Sequence, residues 1–215
     1  MIFSEGYRSF LQAISKKCKE IGRDPKGVTL IAVSKGQGIS AVLSAYESGC
    51  RDFGENRVQE AEEKINGAPE DIRWHFIGHL QKNKVRKVVG RYEVIHSVDS
   101  FSLAQKISEA SGDVPSKVLL EVNVLGEKAK HGLSPQLWKE CFAKVRELSG
   151  IEVRGLMTMA PLTEDRQMIR ACFRGLKELR DDLGVAWLSM GMSNDWEIAL
   201  EEGATHLRVG TAIFQ

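Results

Sequence analysis

The sequence predicts an α/β fold, a single-domain (β/α)8 TIM barrel over residues 1–215. Short apolar runs rich in β-branched residues alternate with amphipathic segments along the whole chain. Strict alternation of buried strands with helices is typical of a parallel sheet. Eight such units fill the 215 residues at about 27 residues each, and eight is the number of units that closes a barrel. An open doubly wound sheet alternates in the same way and is the alternative.

The chain begins with an extra element before the first strand. Apolar residues recur at three-to-four spacing over 4–22, which predicts an amphipathic helix. A continuous apolar run over 28–34 predicts the first buried strand, and the helix over 39–48 ends at Gly49. Because no helix is expected after the eighth strand, we expect the extra first helix to cover that part of the barrel wall.

The remaining units follow in the same order. The predicted strands are 51–53, 74–78, 94–98, 117–124, 151–157, 186–190 and 205–210, of which the second and seventh of the eight are short. The predicted helices are 55–66, 81–89, the segments after Ser100 and Ser134, 165–183 and 195–202. Ser134 followed by Pro135 is an N-cap with proline at the first helical position, and Gly203 ends the last predicted helix.

Composition excludes several classes of protein. Lys plus Arg is 30 and Asp plus Glu is 29, which argues against a nucleic-acid protein with a broad basic face. No apolar run approaches the length of a membrane span, and the N-terminus lacks the pattern of a secretory signal. The four cysteines are scattered without a CxxC pair, so we expect reduced thiols, a cytoplasmic location and no structural metal. A near-neutral single barrel is also expected to be a monomer.

The reactive groups of a barrel lie at the C-terminal ends of its strands. Lys35 directly follows the first strand, where partial desolvation would favour the neutral amine that attacks an aldehyde. The alternative is a surface lysine at the start of a loop. Asn56 follows the second strand and can reach a ligand, whereas Glu55 is better explained as a turn and N-cap residue.

Small polar loops follow the seventh and eighth strands. Met192 and Ser193 lie in the first loop, and Arg208, Gly210 and Thr211 lie in the second. Barrels often bind phosphate at these two strand ends, although a pair of helix caps is the alternative. A lysine on one side and a phosphate site on the other fit a phosphorylated aldehyde, and pyridoxal 5′-phosphate (PLP) is the obvious candidate.

Two histidines and a basic cluster have simpler explanations. His75 and His79 flank the third strand, and on a strand their four-residue spacing does not bring them to one metal ion. The cluster from Lys82 to Lys87 is expected to be a solvated helix face, with a surface for a partner as the alternative.

These segments together resemble the YggS/PROSC family of PLP homeostasis proteins. The matching segments are IAVSK (31–35), FGENRVQEAEEKI (53–65), WHFIGHLQKNK (74–84), IHSVDS (95–100), LLEVNVLGEKAKHGL (119–133), VRGLMTMAP (153–161) and LSMGMSNDWEIALEEGATHLRVGTAIF (188–214). The resemblance covers nearly the whole chain and implies a barrel like the N-terminal domain of alanine racemase, fold type III of the PLP enzymes.

The resemblance also implies roles for individual residues. Lys35 would be the Schiff-base lysine, and Arg208 would point at the cofactor, either at the ring nitrogen or near the phosphate. The phosphate would be bound by Ser193, Gly210 and Thr211 with the backbone around Met192. Asn56 would lie beside the ring, and Ile77, His79 and Met190 would line the pocket.

The function that the resemblance implies is intracellular PLP carriage without catalysis. An arginine at the ring nitrogen would make the ring a poor electron sink, and we expect no second domain to supply a racemase tyrosine, since the sequence ends at Gln215. Other B6 vitamers and PLP-dependent apo-enzymes are expected partners. A single-domain racemase-like enzyme and an unrelated phosphate-binding barrel enzyme using Lys35 are the alternatives.

The sequence departs from the family pattern after Lys35. The family usually has a Thr and soon a Pro, whereas this chain has Gly36 and Gly38. The glycines would loosen the loop and remove a hydroxyl near the cofactor, so affinity is expected to differ. The C-terminus is also shorter than is usual in the family.

Overall fold

The computed structural model describes residues 2–214 and shows one closed eight-stranded barrel. Every strand pairs in parallel with the next, and β8 pairs with β1, with Thr29 opposite His206 and Ala32 opposite Val209. The predicted barrel is therefore confirmed, and the open sheet is excluded. Met1 and Gln215, the ends of the expected 1–215 domain, lie outside the described residues.

The strands are short and the helices alternate with them. The strands are β1 Thr29–Val33, β2 Asp52–Glu55, β3 Arg73–Phe76, β4 Val94–Val98, β5 Ser116–Glu121, β6 Ile151–Met157, β7 Trp187–Ser189 and β8 His206–Val209. The helices are α1 Ile2–Glu20, α2 Ile39–Glu47, α3 Val58–Gly67, α4 Val85–Val88, α5 Phe101–Ala110, α6 Pro135–Arg146, α7 Arg166–Leu183, α8 Trp196–Glu201 and α9 Thr211–Phe214.

Local capping explains several boundaries. Ser100 and Ser134 accept hydrogen bonds from backbone N–H groups in the first turns of α5 and α6, as their positions predict. Asp165 caps α7 in the same way, and α7 ends at Gly184, whose φ is +67°.

The structure differs from the predicted elements at three places. Glu55 belongs to β2 and α3 begins only at Val58, so the helix expected over 55–66 starts later. The segment 81–89 forms a 3₁₀ turn, Lys82–Lys84, followed by one α-helical turn. A short helix, α9, does follow the last strand, because Gly210 O accepts from the N–H groups of Ile213 and Phe214.

The additional first helix covers the wall as expected. Helix α1 packs against α2, α8 and α9. Its side chains Phe10, Ile14 and Cys18 are buried there.

The apolar core lies between the sheet and the ring of helices. Trp138 and Phe173 are among its largest fully buried side chains, and the indole of Trp138 donates to the backbone oxygen of Glu121 at 2.9 Å. The interior of the barrel is more polar than the branched aliphatic filling usual for the fold, since it holds His75, His96 and Arg208. No helix among residues 2–214 is long and apolar enough to cross a membrane.

Candidate functional site

A cavity of about 470 Å³ opens at the C-terminal end of the barrel strands. We call it the mouth cavity. A volume of this order suits a small ligand or cofactor. The predicted site residues that line it are Lys35, Asn56, Ile77, Met192, Ser193, Arg208, Gly210 and Thr211. The structure therefore brings together eight residues that the sequence distributes over five strand ends.

Lys35 lies in a tight turn at the end of β1. The N–H of Gln37 donates to the backbone oxygen of Ser34 at 3.0 Å, and Gly36 supplies the left-handed conformation that the turn needs, with φ of +71°. Gly36 therefore has a defined role in shaping this loop. The side chain of Lys35 is exposed, so the expected desolvation of its amine is not found in the free chain.

A buried polar cluster supports this turn from behind. Lys64 Nζ lies 2.6 Å from Glu55 Oε1 and donates to the backbone oxygen of Ser34 at 2.7 Å. The hydroxyl of Ser34 donates to the same Glu55 oxygen at 2.6 Å. The expectation that Glu55 caps a helix was wrong, because its side chain turns inward from β2 to meet this lysine. The cluster fixes the strand end that carries Lys35.

Asn56 lines the mouth cavity directly after β2. Its Oδ1 is buried and has no hydrogen-bond partner among the described residues. Gly78 passes close to it, since a Cβ at Gly78 would lie 2.2 Å from the backbone oxygen of Asn56. An unpaired buried amide oxygen in a cavity wall is a group that a bound ligand can satisfy.

The loops after β7 and β8 present free polar groups to the mouth cavity. Among the described residues, the hydroxyls of Ser193 and Thr211 make no hydrogen bond to protein, and the backbone N–H groups of Ser193, Gly210 and Thr211 donate to no protein acceptor. Asp195 accepts from the N–H of Met192 at 2.5 Å, which holds the first loop in place. These donors are positioned to bind an anion.

Arg208 extends from β8 inside the barrel and reaches the floor of the mouth cavity. Its Nη1 donates to Ser189 Oγ at 2.6 Å, and its Nη2 donates to the backbone oxygen of Thr158 at 2.9 Å. Burial lowers the pKa of Arg208 to about 10, so it stays charged at neutral pH. Burial also raises the pKa of the nearby Glu121 to about 7, with a further contribution from Asp99.

Two predicted residues, His79 and Met190, are not among those that line the mouth cavity. Met190 is fully buried at the end of β7, below the loop. His79 is exposed, lies 3.3 Å from Asp99 and stacks on His131 with a ring separation of 4.0 Å. The stacked rings are nearly parallel, at 15°. A metal ion lies in the plane of each imidazole that binds it, so this arrangement does not form a metal site as it stands.

Other residues of the mouth cavity were not predicted as site residues. They are Val33, Gln37, Met159, Ala160, Pro161, Leu162, Thr163, Ile169, Asn194, Asp195 and Phe214. The segment 159–161 lies just after β6, and its position at a strand end is the signal that could have identified it. A second cavity of about 420 Å³ lies at the N-terminal ends of β6 and β7, the face of a barrel where conserved residues serve stability rather than catalysis.

The chain is similar to proteins of known fold and name. The sequence profile of the family described as alanine racemase, N-terminal domain, matches residues 10–215. A pyridoxal phosphate homeostasis protein of Aquifex aeolicus is 41% identical over 213 residues, covering 95% of this chain and 93% of that relative. The structure of PipY of Synechococcus elongatus with PLP bound has a TM-score of 0.84 and 37% identity, covering 94% of this chain and all of that one.

A more distant structure shows the fold alone. Alanine racemase from Corynebacterium glutamicum has a TM-score of 0.75 at 16% identity. The match covers 99% of this chain and 60% of the racemase. The barrel is thus shared with a longer protein.

Proposed function

This chain belongs to the family of pyridoxal phosphate homeostasis proteins, and from that premise we propose that it holds PLP in the mouth cavity, covalently linked to Lys35. The observation that carries the proposal is the placement of one lysine and a set of unpartnered anion donors in the same cavity. The homeostasis role of the relatives and the PLP bound to PipY support PLP as the ligand. The chain then serves as an intracellular carrier of the cofactor.

The residues present fit this cofactor. When bound, PLP supplies an aldehyde carbon that condenses with a primary amine and releases water. Lys35 brings such an amine to the cavity on a turn that the Glu55–Lys64 pair supports. Asn56 leaves a buried amide oxygen unpaired in the cavity wall, and a polar ligand relieves that cost.

The phosphate end is assigned to the two loops after β7 and β8. Ser193 and Thr211 each offer a hydroxyl and a backbone N–H, and Gly210 offers a backbone N–H. Hydrogen bonds to an ionised oxygen are about twice as strong as neutral ones. Binding the phosphate in this place leaves the aldehyde free to meet Lys35.

Arg208 favours carriage over catalysis. Its charge lies at the floor of the mouth cavity and offers only donors, so a neighbouring ring nitrogen would accept a hydrogen bond and stay unprotonated. An unprotonated ring withdraws electrons weakly, which disfavours carbanion chemistry. No tyrosine among the described residues lines the mouth cavity, so the described cavity wall offers no tyrosine as an acid or base. A racemase-like enzyme therefore remains the second candidate, and the shared barrel is what favours it.

The remaining expectations belong to the same proposal. Pyridoxal, which lacks the phosphate, would occupy the same cavity with fewer hydrogen bonds, and PLP-dependent apo-enzymes are the expected recipients. The four cysteines are free, as expected for a cytoplasmic protein. We also propose that the chain acts as a monomer.

An absorbance scan tests the proposal. Purified protein is mixed with PLP, freed of excess and scanned beside Lys35→Ala and the surface control Lys82→Ala. We expect a new visible band in the unmodified protein and in the control, and none in Lys35→Ala. No band in the unmodified protein would refute PLP binding through a lysine. Exchange of the α-hydrogen of amino acids for deuterium by the loaded protein would instead favour the enzyme.

A further inference from the structure

Five side chains form one continuous line of hydrogen bonds through the interior of the barrel. Asp52 Oδ1 lies 3.0 Å from His75 Nε2, and His75 Nδ1 lies 2.9 Å from His96 Nε2. His96 Nδ1 lies 2.8 Å from Ser189 Oγ, which accepts from Arg208 Nη1 at 2.6 Å. The line starts on β2 and ends on β8 at the mouth cavity. We call it the interior chain.

The two ends of the interior chain and the hydroxyl of Ser189 together set the direction of its bonds. Arg208 has only donors. Asp52 has only acceptors when it is ionised. Burial opposes its ionisation, but hydrogen bonds from His75 and Arg73 outweigh burial and lower the pKa of Asp52 to about 2. Ser189 accepts from Arg208, and among the described residues its own proton finds an acceptor at His96 Nδ1.

The histidine tautomers follow from that direction. His96 then carries its proton on Nε2 and donates to His75 Nδ1, and His75 donates from Nε2 to Asp52. Both rings are neutral in this arrangement. Burial favours this neutral arrangement, because it lowers the pKa of His96 well below the usual value.

The opposite arrangement carries a clear cost. If His75 were charged, its Nδ1–H would donate to His96, and His96 would donate to Ser189. Ser189 would then accept twice, and its hydroxyl proton would have no acceptor among the described residues. A buried donor without a partner costs about 1–3 kcal/mol.

Arg208 depends on the interior chain because it has no ion pair of its own. Among residues 2–214, no carboxylate lies within 4.0 Å of its guanidinium. Among the described residues, its two hydrogen-bond acceptors are Ser189 Oγ and the backbone oxygen of Thr158, which together set the plane of the guanidinium. The negative end of the interior chain, Asp52, lies on the far side of the histidines.

We propose that Asp52, His75, His96 and Ser189 are positioning residues for Arg208, whose orientation at the cofactor site they fix through this directed chain. This role rests on the proposed function only for the identity of the ligand that Arg208 contacts. Aliphatic side chains usually fill the interior of such barrels, and two neutral histidines cost more to bury than those. We attribute the presence of these two histidines to the orientation that they give to the buried Arg208.

The first test needs no cofactor. Protein labelled with ¹⁵N-histidine is observed by long-range ¹H–¹⁵N NMR at pH 7 without added PLP, and the signals are assigned by single His→Gln variants. We expect His75 and His96 to be neutral with the proton on Nε2, and Ser189→Ala to shift the Nδ1 signal of His96 most. A proton on Nδ1 of His96, or a charged His75, would overturn the inference and leave PLP binding untouched.

The second test separates positioning from packing. Ser189→Ala and His96→Leu break the interior chain, whereas His96→Asn keeps an acceptor near the place of Nδ1. His206→Gln is the matched control, since His206 is buried in the same interior and bonds to Thr205 outside the interior chain.

The readouts are PLP affinity and the absorbance band of the bound cofactor. We expect Ser189→Ala and His96→Leu to weaken PLP binding about tenfold, the order of one hydrogen bond to a charged group. His96→Asn should recover most of that loss, and His206→Gln should stay within about twofold of the unmodified protein. Equal losses in His206→Gln and His96→Leu, or no recovery in His96→Asn, would overturn the positioning role. A band missing from the unmodified protein would refute PLP binding instead, with the tautomers unaffected.

Discussion

Lys64 Nζ and Glu55 Oε1 are 2.6 Å apart in a buried position behind the strand end that carries Lys35. The pair links α3 to β2, and through the backbone oxygen of Ser34 it also holds β1. The other oxygen of Glu55, Oε2, is buried without a partner. Loss of Lys64 would therefore leave the buried carboxylate of Glu55 without its charged partner.

Replacing the lysine alone is expected to be costly. Lys64→Met leaves Glu55 as a buried unpaired charge, and we expect the free energy of unfolding in urea to fall by about 3–5 kcal/mol. The double variant Lys64→Met with Glu55→Gln should recover most of the loss, because no charge is then left buried. A loss below about 1 kcal/mol in the single variant would contradict this role for the pair.

The phosphate assignment predicts a dependence on the ligand. Ser193→Ala and Thr211→Val each remove a hydroxyl that would bind the phosphate, so each should weaken PLP binding about tenfold. Pyridoxal has no phosphate, and its weaker binding should be unchanged by both substitutions. Isothermal titration with the two ligands measures this difference. Equal losses for PLP and pyridoxal would place the phosphate elsewhere.

Asn56 predicts opposite effects on stability and binding. Its Oδ1 is buried and unpaired in the free protein, so Asn56→Leu should raise the free energy of unfolding by about 1 kcal/mol. The same substitution removes a polar group from the mouth cavity and should weaken PLP binding. Thermal melting with and without PLP tests both effects. A variant that is destabilised when free would show that the amide has a structural role instead.

His206 predicts a specific pH dependence of stability. Burial lowers its pKa from 6.5 to about 3, with the charge of Arg208 adding to the effect and that of Asp52 opposing it. In the unfolded chain it takes up a proton near pH 6.5. The stability it contributes is therefore complete above pH 6.5 and is lost as the pH falls towards 3.

The comparison with His206→Gln isolates this group. Relative to the unmodified protein, the free energy of unfolding of the variant should rise by up to about 1.4 kcal/mol for each pH unit below pH 6.5. Glu121, whose pKa burial raises to about 7, titrates in the same window in both proteins and so cancels from the difference. Urea unfolding at pH 7, 6 and 5 measures the difference in the free energy of unfolding between the two proteins. A constant difference across that range would mean that His206 is charged when folded.

The sequence was sufficient for the barrel because its evidence is local and repeated. Buried strands such as Thr29–Val33 read as continuous apolar runs, and Ser134 with Pro135 marks a helix start. Residues that line the mouth cavity from strand ends, such as Lys35 and Thr211, could be predicted because the fold itself brings strand ends together. His79 was placed at the site by resemblance, and in the structure it turns to Asp99 and His131.

The polar contacts could not be predicted because they join distant parts of the chain. The sequence around Glu55 suggests a helix cap, because it does not show that the side chain contacts Lys64. His96 and Ser189 are 93 positions apart, and only the closed sheet brings them within hydrogen-bond distance. Alternation along β8 places His206 and Arg208 on the same face, but the sequence does not say which residues they meet.

Peptide mapping of the reduced complex tests the central claim most directly. The protein is loaded with PLP, treated with borohydride to make the link permanent, digested and analysed by mass spectrometry. We expect one dominant modified peptide carrying the cofactor on Lys35, and its loss in Lys35→Ala with no compensating site. Modification of Lys35→Ala to the same extent, or labelling spread over surface lysines such as Lys82 and Lys87, would contradict the assignment of Lys35 as the residue that holds PLP.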